Sequence, residues 1–75
     1  MVSKIKIKKL RDGLPKGYAR VIRERLCSAG IEFSEDYIYQ CLNPDSRKYS
    51  LLVVEEAIKV RDEYNDKIKY VENKI

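Results

Sequence analysis

Residues 19–43, ARVIRERLCSAGIEFSEDYIYQCLN, decide how this chain is read. Ala19, Ile22, Leu26 and Ala29 recur at helical spacing, with Val21 beside them, while Arg20, Arg23, Glu24 and Arg25 fall on the other faces. That pattern predicts an amphipathic helix from about Lys16 or Gly17 to Ser28. Ala29-Gly30 stops it, with Gly30 placed as the left-handed terminating residue. Ser34 offers a hydroxyl to first-turn amides and so reads as the N-cap of a second helix. Glu35 and Asp36 follow where acids suit the positive end of a helix. Tyr37, Ile38, Cys41 and Leu42 then form its buried stripe. Pro44 disfavours helical geometry at Asn43 and ends it. Phe33, just ahead of the cap, is placed to pack as a hydrophobic staple.

Beyond this pair, residues 44–50 (PDSRKYS) form a polar loop, and Ser50 is expected to cap a long helix from Leu51 to about Glu72. Leu52, Val53 or Val54, Ala57 and Ile58 in its first half suffice to cover the two helices before it. Its second half carries Tyr64, Ile68, Val71 and Ile75, spaced four, three and four apart as in a heptad repeat. That stripe either folds back on its own domain or pairs with a second copy; the reading adopted is a homodimer through those four residues. Ahead of the pair, Lys4, Ile5, Lys6, Ile7 and Lys8 alternate, which suggests a short strand with one basic and one apolar face. A lone strand is not stable. It must pair with another copy, lie over the helices or stay a flexible basic arm. Asp12-Gly13, Pro15 and Gly17 mark the turn that follows.

The chain has 75 residues, enough for one domain with a small core. The expected architecture is all-α: a basic N-terminal arm or strand over residues 1–13, then a compact three-helix unit with an extended C-terminal helix over residues 14–75. Lys and Arg outnumber Asp and Glu by 16 to 12, a net charge of +4. The excess lies in residues 1–25, and the rest is slightly acidic. Such asymmetry points to a polyanion on the N-terminal side. No histidine is present to titrate near neutrality, and no glycine-rich phosphate loop occurs. No enzyme, cofactor, metal or small-molecule substrate is therefore expected. With no apolar leader or membrane span, the chain is expected to be cytoplasmic, with Cys27 and Cys41 as reduced, buried core thiols.

Two helices of this size in a basic chain suit a helix placed in the major groove. On the second helix the apolar stripe leaves Ser34, Glu35, Asp36, Tyr39 and Gln40 outward as base-contact candidates. Gln40 can pair bidentately with adenine, and a carboxylate can accept from cytosine N4. Phosphate partners would be Lys4, Lys6, Lys8 and Lys9 on the arm, Lys16, Arg20 and Arg23 near the first helix, and Arg47, Lys48 and Tyr49 in the loop.

The segments Leu14-Pro15-Lys16-Gly17-Tyr18-Ala19 and Tyr39-Gln40-Cys41-Leu42-Asn43 resemble those of small phage- or mobile-element-type helix-turn-helix proteins. Ser34, Ile38 and Leu42-Asn43 are similar to the recognition-helix pattern of the lactose-repressor type, and the whole is similar to Cro/repressor regulators. The resemblance spans residues 14–64. It implies sequence-specific binding of double-stranded DNA, usually as a dimer on a palindromic site, in transcriptional control. This chain departs from that pattern in its turn, where Gly30 precedes Ser34 by four positions rather than two. It also has Leu26 where the family has a small residue, and acids at positions 35 and 36. A helical protein-interaction module, such as a phage accessory or structural protein, is the alternative. A nonspecific nucleic-acid or RNA binder is a third reading.

Overall fold

The computed structural model describes residues 3–75, and no strand forms among them. Four helices follow one another: α1 (Lys4–Asp12), α2 (Tyr18–Ser28), α3 (Glu35–Cys41) and α4 (Leu51–Lys74). The all-α architecture with a long last helix is as expected; the count is four rather than three.

The difference lies in the basic segment, which is a helix and not a strand or a flexible arm. Ser3 caps it, its Oγ accepting from the Lys6 amide at 3.3 Å. Ile7 and Leu10, three apart, are buried in the common core, whereas Ile5 is 69% exposed. Strict alternation would have put Ile5 and Ile7 on one face. Burying Ile7 with Leu10 against α4 wins instead, and lysine is itself a good helix former. The end of α1 presses on α4: a Cβ added at Gly13 would sit 3.2 Å from the Arg61 side chain. Ile7→Ala should therefore cost about 2 kcal/mol or more, and Ile5→Ala less than about 0.5. Urea denaturation of the two variants checks this, and equal costs would restore the strand.

The α2–α3 connection is built as its residues suggest. Gly30 sits at φ 84°, and the Gly30 and Ile31 amides donate to the Cys27 and Leu26 carbonyls at 3.0 and 2.8 Å. These two bonds make a Schellman motif, with Ile31 packed on the core beside Leu26. The chain then runs extended to Ser34, whose Oγ accepts from the Tyr37 amide at 3.1 Å. Phe33 packs on Tyr37, ring centroids 4.7 Å apart, one position short of the usual staple partner. Ser50 occupies the N-cap position of α4 without a side-chain bond to the helix.

The core joins Ile7, Leu10, Ala19, Ile22, Leu26, Ile38, Cys41, Leu42, Val53, Val54, Ala57 and Val60. Three expectations shift by about one position. Leu52 and Ile58 are exposed while Val53, Val54 and Val60 are buried. Ala29 is exposed as the C-cap of α2. Cys27 is exposed and only Cys41 is buried. One residue past Leu26 is a 100° rotation, which carries Cys27 off the core side. Burial pushes the Cys41 thiol up from its ordinary value, against the lowering effects of the Tyr37 hydroxyl and Lys48.

From Asp62 onward every residue of α4 is exposed, so the tail does not fold back on its own domain. Arg25 steadies its base from α2, reaching Glu56 at 3.9 Å and pairing also with Glu63.

Candidate nucleic-acid interface

Because α1 is a helix, its cations divide between two sides. Ile7 and Leu10 mark the core-facing side, and at 100° per residue Lys4, Lys8 and Arg11 fall together on one flank of it. Lys6 and Lys9 fall toward the other. The surroundings agree with that division. Lys4, Ile5, Lys8 and Arg11 line a groove of about 350 Å³ with Pro44 and Asp45 of the loop after α3. Lys6 and Lys9 border a separate groove with Leu10, Val54, Ile58 and Arg61, between α1 and α4.

The loop after α3 completes the first side. Lys4 and Ile7 share a small crevice with Asn43, Arg47, Lys48 and Tyr49. The loop is held by its own polar side chains. Asn43 Oδ1 accepts from the Asp45 amide at 3.0 Å, and Ser46 Oγ accepts from the Lys48 amide at 3.2 Å. Such local bonds fix a short loop that has no ladder to join. Tyr49 packs partly buried against the core and anchors the loop. The Lys48 ammonium lies 5.7 Å from the centroid of the Tyr37 ring, a cation–π distance. Two recesses that share Lys4 and Pro44 thus carry five cations between them, Lys8 and Arg11 in one and Arg47 and Lys48 in the other, and the single acid lining either is Asp45.

The outward edge of α3 meets the start of α2 through tyrosines. Tyr39, 48% exposed, meets the Tyr18 ring edge-on, centroids 5.5 Å apart. Burial and the neighbouring Tyr39 push the Tyr18 phenol up, and the Arg11 charge opposes them. Gln40 is exposed beside Tyr39. Ser34 spends its hydroxyl on the cap. Glu35 and Asp36 are exposed, and neither forms an ion pair among the described residues. They lie at the positive end of α3, where the helix itself favours them.

The remaining phosphate candidates lie apart from the groove. Arg20 is paired with Glu24 at 3.3 Å on α2. Arg23 shares its surroundings with Glu24, Cys27 and Ser28. Lys16 is exposed in the connection before α2. Arg11 is the residue that the sequence pattern left out. Its signal was the 4–8–11 spacing, one helical face, which is invisible when the segment is taken as extended.

No helix among the described residues is long and apolar enough to cross a membrane. Comparison with known protein families, curated proteins and solved structures finds no match to this chain.

Proposed function

We propose that the chain is a small DNA-binding regulator that grips duplex phosphates with the α1–loop face and reads bases with the outer edge of α3. Two adjoining basic recesses support this, Lys8 and Arg11 in one, Arg47 and Lys48 in the other and Lys4 in both, together with the exposure of Tyr39 and Gln40 on α3. Cations in a row position a protein on the backbone but carry no sequence information. Gln40 supplies the bidentate donor–acceptor pair that adenine matches, and Tyr39 offers a ring to a thymine methyl. Glu35 and Asp36 keep the first turn of α3 away from phosphate, so the helix enters by its outer edge rather than its tip. Pairing of two copies through Tyr64, Ile68, Val71 and Ile75 belongs to the same reading, since it would double the contacts on a two-fold site.

Selection from a random-duplex library at physiological salt tests this. An enriched motif is expected. Five phosphate contacts per chain predict a log–log salt slope of about −4.5. Gln40→Ala should lose about 1–3 kcal/mol of discrimination at one base pair while leaving nonspecific binding unchanged; competition with point-substituted duplexes measures it.

The second reading is a helical interaction module that binds protein. The exposed apolar tail of α4 and the acidic start of α3 favour it. It predicts no enriched motif and no steep salt dependence on duplex.

A further inference from the structure

The groove between α1 and α4 takes no part in the DNA reading. Leu10 and Val54, 5% and 6% exposed, lie at its floor, and Ile58, 39% exposed, forms its lip. Lys6, Lys9 and Arg61 stand around these three. The groove holds about 370 Å³, and no acid lines it among the described residues. Lys6 and Lys9 enter no ion pair among the described residues. Arg61 bonds to Asp62, the next residue along, through two of its five donors.

The apolar strip runs further along α4. Leu51, Val54, Ile58 and Arg61 share one flank of the helix, since their spacing of three, four and three keeps to its period. Leu51 is exposed like Ile58. From Leu51 to Arg61 this flank is about 15 Å long at 1.5 Å per residue.

We propose that this flank docks an acidic segment of a partner protein, one that seats apolar side chains on Leu10, Val54 and Ile58 and sets carboxylates against Lys6, Lys9 and Arg61. Charge names the occupant. Three cations surround an apolar floor that no acid lines, and the complementary surface is apolar side chains flanked by carboxylates. Other occupants match less of it. A duplex backbone can use the lysines but gains nothing from the apolar floor, and the two basic recesses on the other flank of α1 suit it better. A flat bilayer meets Ile58 and Leu51 but not the recessed Leu10 and Val54, which a single side chain can reach. A contact about 15 Å long buries less than the roughly 1,200 Å² of a standard stable complex, so the docking is weak and transient.

This docking needs no duplex contact and stands apart from the DNA reading. Where both hold, one flank of α1 serves DNA and the other a protein.

Selection from a random library of peptides about 12 residues long, about 18 Å if helical, tests the proposal on the immobilised full chain at physiological salt. Enriched peptides are expected to carry net negative charge with interleaved apolar residues. Titrated into labelled chain, they should shift the amides of Lys6, Lys9, Leu10, Val54, Ile58 and Arg61. Lys6→Glu with Lys9→Glu should weaken them at least about tenfold, because an exposed pair is worth up to about fivefold and reversal turns attraction into repulsion. Ile58→Ser, at a partly exposed position, should weaken them about fivefold with no change of charge. No enrichment, peptides without an acidic bias, or peptides that bind the double variant as well as the parent overturn the proposal. So does a groove whose amides respond to duplex or to phosphatidylglycerol vesicles and not to acidic peptide. Duplex affinity is scored separately: a chain that docks the peptides but binds no duplex overturns the DNA reading alone.

Discussion

Reversing Lys4, Lys8 and Arg11 together to Glu should cost at least about a hundredfold in duplex affinity at physiological salt, and should lower the salt slope by about 2.7. The slope follows from removing three of five phosphate contacts at about 0.9 released counterions each. The affinity loss exceeds simple removal because three carboxylates now face the backbone. The matched control is Lys6→Glu with Lys9→Glu. That variant changes two charges on the same nine-residue helix, but on the side that borders the α4 groove. Screening over about 8 Å at physiological salt confines its effect to about a fewfold. An arm with no fixed conformation would treat the two variants alike, in proportion to charge. Fluorescence anisotropy on one duplex across a salt series measures both. Lys4 and Lys8 are exposed and α1 has no acid in its first turn, so Lys4→Glu complements the helix dipole and thermal melts should stay within a few degrees.

Ile22→Ala should be the most damaging single truncation, costing about 2–4 kcal/mol. Ile22 is fully buried near the middle of α2, in the cluster to which all four helices contribute. A domain of this size has about 4–11 kcal/mol of total stability, so the change consumes a large part of it. The expected drop in Tm is about 10–25 °C, at about 4–8 °C per kcal/mol for a domain of this length. Val21→Ala, next to it but exposed, should be nearly silent. Differential scanning calorimetry of the pair separates a packed core from a loose helical assembly, in which both truncations would cost little.

Where the fold could be read from the residues, the deciding interactions were local. Gly30 at positive φ, Ser34 at the cap and Pro44 after α3 each act within four residues of themselves, and each stands where its chemistry places it. The stripe of α3 was legible because Ile38, Cys41 and Leu42 have one consistent period. α1 was not legible, because Lys-Ile alternation satisfies a strand and the helix is selected by partners more than forty residues away, Val54 and Arg61 among them. That misreading propagated to the site. Taken as extended, residues 4–9 offer one undivided row of lysines; coiled, they divide into two flanks and bring Arg11 to the groove. Cys27 and Leu52 missed for a smaller reason, since a rotation of one residue separates core from solvent on a short helix.

The α1–loop face is tested most directly by amide chemical-shift mapping of the labelled chain titrated with a selected duplex. Perturbations should concentrate at Lys4, Lys8, Arg11, Tyr18, Tyr39, Gln40, Arg47 and Lys48, and should spare Glu55, Asp62 and Asp66 on α4. Shifts confined to the tail, or no shifts with duplex at all, would contradict the proposed interface.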